Sequence, residues 1–528
     1  MKISRILKES VLILFVTVVM MMPGVAKNKQ NAPASTNGLR KTTTNDMYHP
    51  MLINNIFNYY SNNGNGSYNP FTSAAEGFEF PKGDNLATVI FEDGVVWGCK
   101  QSGSLKVGGS TYWHGLQAGP ILTNGTATTN PVADDPSSAA NRLYRVRRDL
   151  PPIAGVTDPD DPAAAAELAI VQNSEVALID RYETGTTAET ILKQYWADWT
   201  NWPVSEGAPF NDINGDGHYD PTVDIPGVPL ADQTMWYVAN DLDANRVANL
   251  SGSLPIGLEM QRTIWAYNLN GALANTIFAS TKIINKSGKE LDSMYVAQWA
   301  DPDNGDANDD FVGCDTTRSL GYVYNGEATD ANFANYGLVP PAAGFDFFQG
   351  PIIKSTNPTD TAIFDLKYRL GYKNLPMTSF NYFINGNNTY ADPANASYSG
   401  TIQWYNLLKG LVGITGAQYI NPVTNVATTY VLSGDPVAGT GWIDSSPGDR
   451  RMALCSGPFT MMDGDTQEVV VANLAGRGAD YLSSVTILKT EDDFAQSIYN
   501  KLFSFPQPPS APKVKVVALD GKVVISWG

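Results

Sequence analysis

The chain's most legible pattern is alternation. "LEMQRTIWAYNL", "TIFASTKIINKSG" and "LDSMYVAQWA", within residues 258–300, alternate or are rich in β-branched and aromatic residues. Such runs predict strands with one face on a core. Asn-Gly and Ser-Gly pairs between them predict tight antiparallel connections. Upstream, "NLATVIFEDGVVWGCKQSGSLKVGGSTYW" places short β-prone runs between Asp-Gly, Ser-Gly and Gly-Gly turns, which predicts a meander. Downstream, "GDRRMALCSGPFTMMDGDTQEVVVANLAG" predicts two more strands. "RLYRVRRD" alternates and predicts one strand inside the loop-rich stretch 124–165.

Two segments change to a helical period. In "TTAETILKQYWADWTNWP", Thr186 and Glu189 fit a capping box, and Pro203 closes the run. Ile191, Leu192, Tyr195, Trp196 and Trp199 share one face. An aromatic stripe of this kind predicts packing on a sheet more than a sugar platform. "ADYLSSVTILKTEDDFAQSIYNKLF" predicts one long helix capped by Asp480, with Leu482, Val485, Leu488, Phe494, Ile498 and Leu502 on its buried face. The expected fold is mainly β: antiparallel sheets in one or two β-sandwiches, with a few helices.

Composition divides the chain further. Lys2, Arg5 and Lys8 precede an apolar run from Val11 to Met22, and small residues follow at 24–26. Residues 1–26 therefore read as a secretory signal peptide, because twelve apolar residues are short of the ~20 that span a bilayer. No later segment is apolar enough to span, so a secreted or outer-surface location is expected. Residues 27–75 are rich in Asn, Ser, Thr and Gly, as in "YYSNNGNGSYNPFTS", and predict an extended leader with little core of its own. Residues 76–503 form the β-rich main region. "SFPQPPSAP" (504–512) predicts a semi-rigid linker. Residues 513–528, "KVKVVALDGKVVISWG", give a strand, an Asp-Gly turn and a second strand ending in Trp527.

Charge narrows the partners. The formal net charge is −18, and charged residues are only 17% of the chain. This balance argues against nucleic acid and anionic lipid, which need a basic face, and suits divalent cations. Cys99, Cys314 and Cys455 are too few and too far apart for a disulfide framework, and buried thiols are expected.

Two acidic stretches carry candidate chemistry. In "FNDINGDGHYDPTVD", Asp212, Asn214, Asp216 and Asp220 occupy positions 1, 3, 5 and 9 of a loop with Gly217 at position 6. That order supplies oxygen ligands to calcium in EF-hand-type loops, with His218 contributing its carbonyl. Val223 stands where an acid is wanted, and Asp224 comes one later. With no flanking helix, the stretch resembles a dockerin-like or thrombospondin-type calcium loop; the bland alternative is a metal-free Asx-turn loop. "DPDNGDANDDFVGCD" (301–315) holds six aspartates and no lysine or arginine. Asp301, Asp303, Asp306 and either Asp309 or Asp310 are candidate calcium ligands, and a solvated acidic loop is the alternative. Asp243 in "NDLDANR" can share an ion or pair with Arg246.

HExxH, GxSxG and GxxxxGK[ST] are missing, and His49, His114 and His218 are scattered. Glycoside hydrolysis needs two carboxylates at a set separation, but no spacing singles out a pair. A secreted carbohydrate-active enzyme remains the second expectation, motivated by eleven tryptophans and clustered acids.

The C-terminal strand–turn–strand resembles the start of a fibronectin type III domain, and about sixteen residues of a ~90–100-residue module imply a fragment. "GFEFPKG", "DWTNWPVSEGAPFNDINGDGHYDP", "DQTMWYVANDLD", "PIGLEMQRTIWAYN", "GFDFFQGP" and "AGRGADYLSSVTILK" occur in this order. As a set, over roughly residues 76–528, they resemble large secreted surface proteins of Bacteroidota and Ignavibacteria-type bacteria, many of which carry a sorting domain for type IX secretion. That resemblance implies a surface protein and transfers no catalytic residues. The leading expectation is a secreted structural or binding protein with calcium-stabilised loops, facing polysaccharide or protein at the cell surface.

Overall fold

The computed structural model describes residues 46–72, 77–83, 87–122, 131–384 and 386–504, and a terminal hairpin of Val514–Leu519 and Lys522–Trp527. The expected signal peptide and the Pro-rich linker lie outside the described residues, apart from Ser504.

Two antiparallel sheets face each other. The first has ten strands, and its main path runs Ser379–Ile384, Arg450–Met461, Leu291–Asp301, Glu92–Gln101, Asn65–Gly66, Phe57–Ser61, Phe78–Glu79 and Thr88–Ile90. The second has nine strands, with the main path Tyr144–Arg147, Gln233–Asn240, Leu258–Ala266, Thr276–Asn285, Thr466–Gly476, Ala342–Gln349, Leu320–Asn325 and Asp310–Asp315. The expected strands of 258–300 and 450–476 are all present, and so is the strand in "RLYRVRRD".

Alternation decides the layers. Val95, Trp97, Val296, Ala300, Met452 and Leu454 of the first sheet share one buried cluster with Met235, Ile264, Ile277, Val469 and Val471 of the second. Their neighbours in sequence point outward: Val96, Ala297, Trp299, Ala453 and Cys455 pack under the helix Tyr398–Leu408. Phe278, Val470, Ala472 and Leu474 pack under the helix Tyr481–Asn500. One sandwich with helices on both outer faces results, and its central strands are buried on both sides.

The helices depart from expectation in detail. Thr187, not Thr186, caps Ala188–Thr200, and its box partner is Thr190. Tyr195, Trp196 and Trp199 are buried, as the stripe predicts. Asp480 caps the long helix, but Phe494 is 55% exposed, and Ala495 and Tyr499 are the residues of that part of the helix buried in the core. A helical run from Pro162 to Asp180, including a π-turn at Gln172–Val176, is new relative to the sequence reading. All three cysteines are buried free thiols.

The largest correction concerns residues 46–72. They are not a leader without a core: Tyr48–Met51, Phe57–Ser61 and Asn65–Gly66 are strands of the first sheet. Tyr59, Tyr60, Asn62, Asn63 and Asn65 are at most 1% exposed. Buried amides are tolerated where they are hydrogen-bonded. Asn62 Nδ2 donates to the Asn141 carbonyl at 2.9 Å, and Asn54 Nδ2 donates to the Thr276 carbonyl at 2.9 Å. The Tyr60 hydroxyl accepts from Asn58 at 3.0 Å and from Asn473 of the opposite sheet at 2.9 Å. Tyr60→Phe strands two buried amide donors, so urea unfolding should show a loss of about 1–3 kcal/mol. A midpoint equal to the wild type would show that the inter-sheet bond contributes nothing.

Candidate functional site

The strand Leu291–Asp301 lies between Arg450–Met461 and Glu92–Gln101, and both ladders fix its register. Ala300 pairs with Met452 on the core side, which sends Asp301 and Arg451 to the outer face beside Trp299. Asp301 also pairs with Glu92 in the ladder, and the Phe91 N–H donates to its carbonyl at 2.9 Å. Its carboxylate is therefore held in place by the sheet.

Three carboxylates converge there. One oxygen each of Asp301, Asp303 and Asp449 lies within 4.8 Å of the others. Asp301 and Asp303 are 3% and 6% exposed, and Asp449 is half-buried. Arg451 faces them: its Nε is 3.4 Å from Asp301 Oδ1 and 3.5 Å from Asp392 Oδ1, and its Nη1 bonds Asp449. Tyr112 donates its hydroxyl to Asp301 Oδ2 at 2.7 Å and accepts from Arg451 Nε at 2.9 Å. Three carboxylates, Asp301, Asp392 and Asp449, thus face one guanidinium, with Asp303 beside Asp301. Burial pushes the Asp301 carboxyl well above its ordinary value; Arg451 opposes that, while Asp303 and Asp449 add to it. Asp301 Oδ1 is buried and accepts no hydrogen bond among the described residues. An all-oxygen set of this kind suits a hard divalent cation, with calcium's six to eight oxygens completed by water.

The remaining acids of the stretch go elsewhere. Asp306 accepts from the Asn308 N–H at 3.1 Å and donates its own N–H to Asp330 at 2.7 Å. Asp310 is fully buried and accepts the Asn304 N–H at 3.0 Å. Asp309 is pushed up to about 7, first by burial and then by Asp330, Asp306 and Glu327. Asp315 is held by Lys489 at 3.2 Å and Arg318 at 2.7 Å. Asp301 and Asp303 meet; Asp306 and Asp310 do not join them.

The loop 212–224 is closed at its base by Phe210 paired with Pro226 and Asn211 with Ile225. Its acids hold the loop's own amides. Asp212 accepts from Gly215 and Gly217 at 2.7 and 2.8 Å, and Asp216 accepts from His218 at 2.8 Å. Asp220 accepts from Thr222 at 2.8 Å, and buried Asp224 accepts from Ile213 and Asp220 at 2.9 and 2.8 Å. Asn214 Nδ2 donates to Asp216 at 2.9 Å. These residues do not form a three-carboxylate group of the kind seen at Asp301 among the described residues. Asp243 caps the helix Ala244–Ser251 and lies 3.8 Å from Arg246, so it takes the pairing role.

Sequence reasoning missed Asp449, Arg451, Tyr112 and Asp392. The only local signal is "GDRRM", an acid beside two arginines at the start of a strand. Tyr112 and Asp392 come from loops far along the chain.

A second carboxyl pair lies under the helix Tyr481–Asn500. Asp346, on the second sheet, and Asp492, on that helix, are each 1% exposed and adjoin one another beside a cavity of about 580 Å³. Burial pushes Asp492 up to about 7 and Asp346 well up.

Comparison of the chain with protein-family models and with curated proteins gave no match.

The carboxyl pair makes stability depend on pH. The folded chain holds its proton more tightly than the unfolded chain, so the contribution is complete below the ordinary value of 3.8 and is lost as pH rises to about 7. Asp492→Asn cannot ionise. Its melting temperature relative to the wild type should therefore climb between those pH values; parallel curves across the range would contradict the raised carboxyl.

Proposed function

We propose that this protein is a secreted or surface-attached binding protein whose rim loops are held by calcium. The observation that carries the reading is the Asp301–Asp303–Asp449 group, whose buried Asp301 Oδ1 faces Arg451 but accepts no hydrogen bond among the described residues. A divalent ion there ties the end of one central strand, the loop after it and the start of the neighbouring strand. It also adds positive charge where Asp301, Asp392 and Asp449 face Arg451. Asp301, Asp303 and Asp449 are the ligands in this reading. Asp212, Asn214, Asp216 and Asp220, with the His218 carbonyl, are a further exposed loop for the same ion, and Asp224 braces it from below.

Further support is the placement of the tryptophans. Trp97, Trp236 and Trp265 are among the largest fully buried side chains, so they pack the sandwich rather than line an open cleft. No helix among the described residues is long and apolar enough to cross a membrane. Polysaccharide or protein at the cell surface is the proposed partner, not nucleic acid, given the net charge of −18. The terminal hairpin, whose Val514 pairs with Trp527, is in this reading the opening of a fibronectin type III-like module.

Elemental analysis should find calcium in the purified protein, and excess EGTA should lower the melting temperature by several degrees. Saturation at about 100 times Kd corresponds to about 2.7 kcal/mol. Asp303→Asn should remove most of the EGTA response. An unchanged melting curve in EGTA, with no calcium by elemental analysis, would overturn the reading.

A further inference from the structure

On the outer face of the first sheet, next to the acidic group, lies a cavity of about 350 Å³. That is within the ~300–1,000 Å³ range of small-molecule sites. Trp299 and Trp404 contribute to its lining, and both are nearly buried. Tyr112 meets Trp299 edge-to-face with ring centroids 4.8 Å apart, so the aromatic wall is rigid. Half-buried Trp113 borders the same space. The opposite rim is the loop 386–395, which brings Asn387, Asn388 and Asp392.

The chemistry of this lining is selective. Among the described residues no lysine, arginine or histidine lines it, which leaves no lining cation for a phosphate, sulfate or carboxylate. Asp392, the one carboxylate among its described lining residues, already faces Arg451 at 3.5 Å. Trp299 is 1% exposed, and its indole N–H has no acceptor among the described residues. A buried donor left unpaired costs about 1–3 kcal/mol, so a ligand oxygen that reaches it gains that much in complementarity. Aromatic faces take an apolar ring surface, while asparagine amides both donate and accept.

We infer that this cavity binds a neutral saccharide unit, with a sugar ring against the Trp113–Trp299–Trp404 wall and its hydroxyls on Asn387, Asn388 and Asp392. The inference deepens the binding-protein reading above and rests on it. Arg451 links the two sites, because it touches both Asp392 of the cavity and Asp301 and Asp449 of the cation group. Cation binding thereby fixes the cavity's acidic corner.

The test is calorimetric titration of the full chain with neutral hexasaccharides (cello-, xylo-, manno- and chito-), each in calcium and in EGTA. At least one should bind, and Trp113→Ala should weaken it by about tenfold or more. Trp113 is half-buried, so folding of the variant is checked by its melting curve and calcium content; Asn388→Ala, at an exposed position, is the second variant and should also weaken binding. No heat with any of the four sugars, in protein that holds calcium, overturns the saccharide inference and leaves the cation reading standing. Binding that both variants leave unchanged also overturns it, as does stronger binding of an acidic polyuronate. Sugar binding in protein that holds no calcium supports the cavity and sinks the cation reading instead.

Discussion

Everything at the acidic rim depends on the register of one strand. Leu291–Asp301 is hydrogen-bonded on both sides, and a slip by one residue would exchange its two faces. Val296 and Ala300 belong to the inter-sheet core, while Ala297 and Trp299 belong to the layer under the helix Tyr398–Leu408. Both faces are buried, so neither exchange is tolerated. Asp301 inherits its direction from Trp299. The same parity in Arg450–Met461 delivers Arg451 to the same face.

Burial of polar groups is the second constraint, and it explains why composition misled at residues 46–72. Asparagine-rich sequence reads as loop because an unpaired amide in a core is costly. Here the amides are paired across the fold, to Asn141 and Thr276, and the Tyr60 hydroxyl accepts from Asn473 of the opposite sheet. Asp93 is handled similarly: it accepts from Ser67 at 2.7 Å and Gln298 at 2.9 Å and faces the charge of Arg262 between the sheets. Asp241 accepts three consecutive amides, from Ile256, Gly257 and Leu258, while burial pushes its carboxyl up to about 6. Long-range partners of this sort leave no mark in a local window.

The aspartates of 301–315 show three responses to one electrostatic problem. Asp315 is neutralised by Lys489 and Arg318. Asp306 and Asp310 spend their oxygens on backbone amides. Asp301 and Asp303 instead meet a third carboxylate, Asp449. The loop with the better calcium spacing, 212–224, directs its acids onto its own N–H groups. Local spacing ranked the two stretches in one order, and convergence in space ranks them in the other.

The sequence by itself determined the strands within 88–109, 258–301 and 450–476, because β-rich runs bounded by turn residues are local, and the two long helices, because capping residues and a periodic face are local. It also determined the chain's acidity and hence the class of ion that suits it. Only the tertiary structure decided that the Asn-rich segment is core, that one sandwich forms with helices outside both sheets, and that Asp449, Arg451, Asp392 and Tyr112 gather around Asp301. The physical reason is distance along the chain. Arg451 and Tyr112 are 339 residues apart in sequence and 2.9 Å apart in the fold, and only strand pairing closes such a gap.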